Sequence, residues 1–560
     1  MISINKVINT DVVVVGGGIA GLCAAIAAAE NGAKTLVLEK ANSKRSGSGA
    51  TGNDHFLCYY PAKHGNDISV ILQELLDSLV GLCHDPKLSL VFLNRTLEVV
   101  QKWEQWGINM KPFGDDYEFM GHAYPGRPRI WLKYDGHNQK ELLTRQAIKA
   151  GAQILNYHPA VDLIRDEAGI AGVLALDTSS LEPSFTLIKA SRVILSTGTA
   201  NRLYPAAGSP GWPFNTAFCP ACTGAAQAQA WRIGATMVNM EFPNRHAGPK
   251  FFARAGKSTW IGLYRRPTGD LLGPFVDKAT REVGDITCDV WNSAYTDVLM
   301  DGSGPAYIDC SQTSREDLEF MREGMISEGL TGLLNYMDEK EIDPARHAVE
   351  FMQYEPHIIG RGLQIDEHAE TSIPGLYAAG DMVGNFRGDI AGAAVYGWIA
   401  GEHAATHNQR DIAADMEQSP WVQERVAFYS QFMERDHGAH WKEANLALQQ
   451  IMTEYADCGP HRLRSDTLLT AGIKYIGDLR KKINKEMSVS DAHELMRAAE
   501  VLNLLDLGEA LMIAARERKE SRGRHLRADF TFTNPLLRDK FLRVWQEDGT
   551  PRTAWRDRLK

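Results

Sequence analysis

The chain has 560 residues, 44% of them hydrophobic, so it can bury several cores, and a single small domain is excluded. Its 60 basic and 70 acidic residues give a formal charge of -10, which argues against nucleic acid or an anionic membrane surface as the main partner. Of its eight cysteines only Cys219 and Cys222 are closely spaced, a usage typical of reduced thiols in a cytoplasmic protein.

A βαβ unit is predicted at the N-terminus. Residues 12–15 are an apolar run typical of a buried strand, residues 19–30 an alanine-rich helix, and residues 35–39 a second strand. Glycines at positions 16–18 interrupt the only long apolar stretch near the start, so we expect neither a signal peptide nor direct insertion into a membrane.

A glycine-rich turn joins the first strand to the helix. Gly16, Gly18 and Gly21 have the G-x-G-x-x-G spacing, in which the glycines permit a tight turn, approach of a pyrophosphate and packing of helix on strand. Glu39 ends the second strand, where it would accept hydrogen bonds from a ribose diol. The alternative is a glycine-rich turn without a ligand, and the fingerprint alone does not separate FAD from NAD.

Two later strands resemble the nucleotide-contacting strands of flavoproteins with two dinucleotide folds. They cover residues 193–198 and residues 375–381. The resemblance narrows to the flavoprotein subunits of fumarate reductase, succinate dehydrogenase and adenylylsulfate reductase, and most of all to the alpha subunit of adenylylsulfate reductase. Five blocks in the family's order carry it: residues 45–53, 223–235, 357–366, 380–401 and the E-S-R-G-x-H-x-R-x-D motif at 520–529.

The resemblance implies an α/β fold with a Rossmann-like FAD domain, an inserted α+β capping domain and a C-terminal helical domain. The expected boundaries are 1–240 and 351–415 for the FAD domain, 241–350 for the cap and 416–560 for the helical domain. In the last, amphipathic spacing predicts helices over 466–479, 489–502 and 507–518.

The cofactor implied by the resemblance is FAD, and no metal ion is expected. The residues expected to bind FAD are Gly16, Gly18, Gly21, Glu39, Lys40, Ser46, Gly47, Thr51, Gly52, Asn53, Val161, Thr197, Gly198, Gly380, Asp381, Gly392 and Ala393.

Departures from the family pattern qualify this expectation. Members that attach FAD covalently have a histidine after Arg-Ser, whereas this chain has Gly47, so FAD is expected to be non-covalent and of lower potential. Ala225 stands where the family usually has an acid. The arginine-rich run that supplies the proton-delivering arginine of fumarate reductases is absent. These features favour an adenylylsulfate-reductase-like flavoprotein over a plain fumarate reductase.

Four residues are candidates for the substrate site. Arg245 and His246 lie in a block that resembles the segment entering the substrate cavity of adenylylsulfate reductase, and a guanidinium suits an anion. His357 is a candidate proton donor, and Arg387 would add a positive charge. The alternatives are a salt bridge for Arg245 and a buried structural role for His357. In the 520–529 motif, His525 is expected to pin the C-terminal domain to the core, and the roles of Arg522 and Arg527 stay open.

The cysteine pair and the reaction leave alternatives open. Cys219 and Cys222 are either small packing residues or thiols that exchange electrons with the flavin, and no second pair follows at the spacing of an iron-sulfur site. A ferredoxin-like iron-sulfur subunit is therefore the expected partner. The expected reaction is on a sulfur oxyanion or related small anion, with reduction or formation of a C=C bond as the alternative. A non-catalytic FAD-binding scaffold is the alternative of another class.

Overall fold

The computed structural model describes the chain except for residues 1, 79–82, 121–125, 208–213, 215, 217, 251–259, 273–275, 284–294, 296–297, 300, 458–462 and 560. The strands are β1 (Ile4–Asn9), β2 (Val12–Val15), β3 (Thr35–Leu38), β4 (His55–Leu57), β5 (Trp131–Lys133), β6 (Gln153–Leu155), β7 (Ala160–Asp166), β8 (Gly169–Asp177), β9 (Ser184–Lys189), β10 (Val193–Leu195), β11 (Met237–Val238), β12 (Ala247–Pro249), β13 (Leu263–Arg265), β14 (Ala306–Asp309), β15 (Val349–Gln353), β16 (Gly362–Leu363), β17 (Leu376–Ala378), β18 (Lys540–Glu547) and β19 (Thr550–Asp557). The helices are α1 (Ile19–Glu30), α2 (Pro61–His64), α3 (Ile68–Asp77), α4 (Pro86–Gln105), α5 (Gln139–Lys149), α6 (Ala225–Arg232), α7 (Arg315–Ser327), α8 (Thr331–Glu339), α9 (Asp389–Thr406), α10 (Pro420–Met433), α11 (Trp441–Ala456), α12 (Asp466–Glu486) and α13 (Ala492–Glu517).

The predicted βαβ unit forms the centre of a parallel sheet with the strand order β17-β10-β2-β3-β6. All four valines of β2 are buried, because the strand is covered on both faces, as its continuous apolar run predicts. The two later strands predicted to contact the nucleotide are β10 and β17, which continue the sheet beside β2. Since the strands are parallel, their carboxyl ends meet at one edge, where the first βα turn also lies. The predicted α/β fold is thus confirmed.

A second core lies between residues 247 and 351. It is built on an antiparallel sheet with the order β12-β15-β14-β13, together with α7 and α8. This α+β unit lies in the segment predicted to be the cap and is called the cap below, while the predicted domain boundaries stay a prediction.

The C-terminal region differs from the prediction at two points. The two helices predicted over 489–502 and 507–518 are one helix, α13, because the intervening residues are apolar or paired and contain no helix breaker. Asn503 and Asp506 both accept hydrogen bonds from Arg232 within that stretch. The chain then ends in the hairpin β18–β19, whose first strand pairs with β11. Of the helices in the described part of the chain, none has the length and apolarity needed to cross a membrane.

Candidate functional site

A cavity of about 610 Å³, called here the main cavity, opens at the carboxyl edge of the parallel sheet. Its volume lies within the range of about 300–1,000 Å³ that is typical of ligand and cofactor sites. Gly18, Ile19 and Ala20 at the start of α1 line it. No side chain caps this helix start, and its first turn contains no acidic residue, so its positive end faces the cavity. The main cavity therefore offers a site for a phosphate.

The turn before α1 is shaped for a close approach of backbone. Gly16 has φ of +105°, and a Cβ at this position would lie 2.6 Å from the carbonyl oxygen of Ser196. Glu39 accepts hydrogen bonds from the backbone N–H of Gly17 at 2.8 Å and from that of Ala41 at 2.7 Å. Its carboxylate thus lines the main cavity and also orders the turn.

Most of the residues predicted to bind FAD line the main cavity. They are Gly16, Gly18, Glu39, Lys40, Ser46, Gly47, Thr51, Gly52, Asn53, Val161, Thr197, Gly198, Gly380, Asp381 and Ala393. Gly21 does not line the main cavity, because this residue lies where α1 packs on the turn. A Cβ at position 21 would lie 1.9 Å from the carbonyl oxygen of Gly16. Gly392 lines a smaller adjoining cavity together with Gly380 and Asp381. Residues from four separate parts of the chain therefore meet around one cavity, whose glycine turn and uncapped helix start suit the pyrophosphate of FAD.

One side of the main cavity is closed by α13, which sequence reasoning did not anticipate. Glu500 lines the cavity and pairs with Lys40 at 2.8 Å, Arg202 at 2.7 Å and Arg497 at 2.9 Å. Burial alone would raise the pKa of Glu500, but the three cations outweigh it and hold the pKa well below its usual range. The carboxylate therefore joins the sheet edge to the C-terminal helix.

The cap closes another side. Glu328 through Leu330, together with Gly332 and Leu333, line the main cavity beside Thr51 and Gly52 of the loop expected under the flavin. His55, two residues after that loop, lines the cavity too. The sequence alone offers one indication that His55 belongs to a site, which is the neighbouring acid Asp54. Glu328 could not be found in this way, because it lies more than 270 residues away from His55 along the chain.

The structure brings the two predicted histidines together. Asn244 and His357 exchange backbone hydrogen bonds at 2.9 Å, which places His246 and His357 side by side. Their rings stack with centroids 5.1 Å apart, and Phe218 packs against both at 4.7 Å. Phe218 lines the main cavity, whereas both histidines are buried behind it. Phe218 thus separates the histidine pair from the main cavity.

The two predicted arginines are held in ion pairs. Arg245 Nη2 lies 3.0 Å from Asp457 Oδ1, and its Nη1 donates to the carbonyl of Tyr354 at 3.3 Å. This is the salt-bridge arrangement that was the alternative for Arg245. Arg387 Nη2 lies 2.9 Å from Asp389 Oδ1 and borders the smaller cavity. Neither guanidinium lines the main cavity.

A further buried cation lies close to the histidine pair. Arg361 donates to the carbonyls of Ile359 and Gly360, just after His357, and to that of Phe242. Burial lowers the pKa of Arg361, and the nearby charge of Arg387 lowers it further. Arg361 is thus a buried guanidinium four residues after His357, and the charge of Arg387 is offset by its ion pair with Asp389.

The cysteine pair lies at the Lys40 side of the main cavity. Cys219 and Cys222 both line the cavity, and the backbone N–H of Cys222 donates to the Cys219 carbonyl at 3.0 Å. Contact with Cys219 and burial raise the pKa of the Cys222 thiol. Lys40 donates to the carbonyl of Ala221, between the two cysteines.

The C-terminal motif holds its domain in place. His525 is buried between the Arg464 guanidinium, 3.0 Å from Nδ1, and the Arg518 carbonyl, 2.9 Å from Nε2. Arg527 donates to the last carbonyls of α13 and pairs with Asp529. Arg522 pairs with Glu520. The motif thus fixes the end of α13, and the predicted role of His525 in pinning the domain to the core stays a prediction.

Comparison with known proteins decides the family. The model described as "FAD binding domain" matches residues 11–394, and the one described as "Fumarate reductase flavoprotein C-term" matches residues 445–551. The chain belongs to the FAD-binding flavoproteins of the fumarate reductase and succinate dehydrogenase family. It is thus an FAD-dependent oxidoreductase, and the fit of the main cavity to FAD agrees with this.

Individual relatives are distant but cover the whole flavoprotein. The fumarate reductase (CoM/CoB) of Methanothermobacter marburgensis has one subunit that is 23% identical over 95% of this chain and 96% of its own length. Among solved structures, adenylylsulfate reductase from Archaeoglobus fulgidus has a TM-score of 0.82 at 20% identity, covering 100% of this chain and 97% of that one. An Escherichia coli quinol fumarate reductase has a TM-score of 0.79 at 21% identity, covering 99% and 97%. The structural likenesses establish a shared fold.

Proposed function

We propose that this flavoprotein is the catalytic subunit of an oxidoreductase that acts on a small anionic substrate, in the first place a sulfur oxyanion. Its electrons would be exchanged through a ferredoxin-like iron-sulfur subunit. The observation that carries the proposal is the stacked pair of His246 and His357, held behind Phe218 at the wall of the main cavity.

The side chains around this pair suit an anion. A histidine imidazole can donate a hydrogen bond or a proton to a substrate oxygen. Arg361 and Arg387 add positive charge in a buried setting, where charge acts more strongly than in water. Arg245 would meet the substrate on the approach to the histidines and would exchange Asp457 for it. In this proposal the anion reaches His246, His357 and Arg245 after Phe218 moves from the cavity wall, and Arg387 contributes charge.

FAD, when bound, supplies the two-electron chemistry. The glycine turn and α1 would hold its pyrophosphate, Glu39 its ribose, and the loop from Ser46 to Asn53 its flavin. Gly47, in place of a histidine, supports non-covalent attachment and a lower potential, which suits a sulfur oxyanion better than fumarate.

We infer a carrier outside this chain from the cysteines in the described part of the structure. Among the described cysteines, Cys219 and Cys222 line the cavity and the others, Cys23, Cys58, Cys83 and Cys310, are buried singly. A four-cysteine cluster needs ligands that converge on one point. A separate iron-sulfur subunit would supply this cluster. The methanogen relative is itself named as one subunit of its enzyme, which supports the role of this chain as part of a complex.

A second candidate is reduction or formation of a C=C bond in a small unsaturated acid. The named fumarate reductases among the relatives, which align over nearly the whole chain, favour it. The same histidines and arginines would bind a carboxylate. A non-catalytic FAD-binding scaffold is the alternative without turnover.

The experiment has two arms: the FAD-loaded protein, reduced anaerobically, is mixed in a stopped-flow instrument with fumarate or related enoates, and the oxidised protein is mixed with AMP and sulfite together with an electron acceptor, in the reverse direction. His357→Asn tests the site, and His368→Asn is the matched control, because His368 is an exposed histidine outside the main cavity. Loss of a positioned proton donor is expected to slow the reaction by about 100-fold or more, with the control unchanged.

The outcomes separate the candidates. A change in flavin absorbance that depends on sulfite, together with turnover that depends on AMP, supports a sulfur oxyanion as the substrate. Rapid reoxidation by an enoate, lost in His357→Asn, supports the C=C reaction instead. No response to any compound, with or without an added reduced ferredoxin, contradicts both and favours the scaffold.

A further inference from the structure

A buried lysine contacts the glycine turn of the main cavity from within the protein. Lys140 is only 2% exposed and does not line the cavity. Its ammonium donates a hydrogen bond to the backbone carbonyl of Gly17, in the middle of the turn. The two residues are 123 positions apart in the chain, so the spacing of the glycines does not indicate this contact.

The position of Lys140 is unfavourable for a cation. It is the second residue of α5, where the dipole of the helix disfavours positive charge. Burial adds a second cost, because the ammonium loses its hydration. Burial lowers the pKa of Lys140 from 10.5 to about 8, although the carboxylate of Glu39 opposes this fall. The lysine is therefore protonated at neutral pH but loses its proton more easily than an exposed lysine.

The contact fixes the peptide group that joins Gly17 to Gly18. In a trans peptide the C=O and the N–H point in opposite directions. Because the Gly17 carbonyl points towards Lys140, the N–H of Gly18 points away from it, and Gly18 lines the main cavity. The N–H of Gly17 itself donates to Glu39 at 2.8 Å. Lys140 and Glu39 thus hold the peptide groups on both sides of Gly17 and direct the next N–H to the cavity.

We propose that Lys140 is a positioning residue for FAD, which aims the Gly18 N–H at the pyrophosphate and supplies a buried positive charge behind the turn. This charge attracts the pyrophosphate through the protein, where charges are screened less than in water. It also offsets the carboxylate of Glu39, which orders the same turn and would otherwise repel phosphate groups. One turn can therefore hold both the acid expected to bind the ribose and the phosphates of FAD.

This role makes the affinity for FAD depend on pH. The bound pyrophosphate stabilises the protonated lysine and so raises its pKa above that of the FAD-free protein. Above about pH 8, FAD binding therefore takes up a proton, and the affinity falls as the pH rises further. The other ionisable groups whose charge acts on Lys140 are Glu39 after β3, Cys23 on α1 and Cys222 before α6. Burial raises the pKa of Cys23 to about 12, and contact with Cys219 together with burial raises that of Cys222, so both thiols stay neutral in this range.

The test is the Kd of FAD, measured by fluorescence titration between about pH 6.5 and 9.5, on both sides of the pKa of Lys140. In the unmodified protein the Kd should be constant below about pH 7.5 and should rise by up to about 10-fold per pH unit above about pH 8. Lys140→Met should bind FAD about 10-fold or more weakly at about pH 7 and should lose this rise. Lys149→Met is the matched control, since Lys149 is exposed in the last turn of the same helix and does not line the cavity.

Two further measurements keep the test decisive if Lys140→Met does not fold. Lys140→Arg keeps a charge that does not titrate in this range, so its Kd at about pH 7 should stay within about 3-fold of the unmodified value and should not rise with pH. Calorimetry of the unmodified protein in two buffers of different ionisation enthalpy should show uptake of up to about one proton per FAD at about pH 8.5 and almost none at about pH 6.5.

Three results would overturn the proposal. They are a Kd that stays constant or FAD that never dissociates in the unmodified protein, an equal rise of the Kd with pH in Lys140→Met, and binding at about pH 8.5 without proton uptake. An equal rise in Lys140→Met would mean that the lysine only supports the turn. Because no substrate is present, the result for Lys140 stands or falls separately from every substrate test of the proposed function.

Discussion

Lys40 Nζ lies 2.8 Å from Glu500 Oε1, so the residue after Glu39, which is predicted to bind a ribose, is tied to a helix 460 residues further along the chain. Arg202 and Arg497 hold the second oxygen of the same carboxylate. The C-terminal helix is thereby part of the wall of the FAD site. Removal of this one carboxylate should therefore disturb both the cofactor and the docking of α13.

The substitution Glu500→Gln should destabilise the protein by about 3–5 kcal/mol, because it leaves buried cations without their partner. FAD should also bind more weakly. Urea unfolding and fluorescence titration with FAD measure the two effects. Glu509→Gln is the control on the same helix, since Glu509 pairs with Arg480 at 2.8 Å in a more exposed position. Equal stability of both variants would contradict a special role for Glu500.

The same carboxylate predicts a loss of stability in acid. The pKa of Glu500 is lowered in the folded protein from an ordinary value of 4.5, so its contribution is fully present above that value. It is lost progressively as the pH falls further, because the unfolded chain then binds the proton first. The free energy of unfolding of the unmodified protein should fall more steeply below about pH 4.5 than that of Glu500→Gln. If the free energy of unfolding fell equally with pH in both proteins, the predicted contribution of Glu500 would be wrong.

The contact between the flavin loop and the cap depends on Gly329. A Cβ at this position would lie 1.8 Å from the carbonyl oxygen of Thr51, and φ is +72°. Gly329→Ala should therefore push the cap away from the loop and raise KM by about 10-fold or more while FAD remains bound. In Gly332→Ala, the control in the same cap segment, the added Cβ meets no atom within 4 Å. Matching kinetics for the two variants would show that this contact does not govern closure.

The cysteine pair is predicted to be dispensable for electron transfer. Cys222 lies near Lys40 and Asp381, whereas the flavin is expected beside the loop from Ser46 to Asn53. The double variant Cys219→Ser with Cys222→Ser should keep FAD and transfer electrons at the unmodified rate. Rapid-mixing reoxidation with the identified acceptor measures this rate, and a loss of more than about 10-fold would assign the thiols a redox role.

Features that depend on residues close together in the chain could be predicted from the sequence. The turn at Gly16 and the strand ending at Glu39 are fixed by neighbouring residues, so the glycine spacing predicted them. His246 and His357 meet because β-bridge pairing joins two blocks that only the family resemblance could relate.

Other features depend on partners that the sequence does not connect. In the sequence, Glu500 cannot be distinguished from a solvent-exposed acid on a helix. Lys40 and Arg202 contact it only in the folded chain. The hairpin β18–β19 gains its place from pairing with β11, some 300 residues earlier. Amphipathic spacing predicts two helices where the structure has the single helix α13, and the polar residues between them, Asn503 and Asp506, are paired with Arg232.

The most direct test of the account is the cofactor itself. Purified protein should show a flavin spectrum, and denaturation followed by ultrafiltration should release about one FAD per chain into the filtrate, because Gly47 offers no side chain for a covalent bond. A colourless protein that binds no added FAD would contradict the assignment of the main cavity. Flavin that stays with the denatured chain would contradict non-covalent binding.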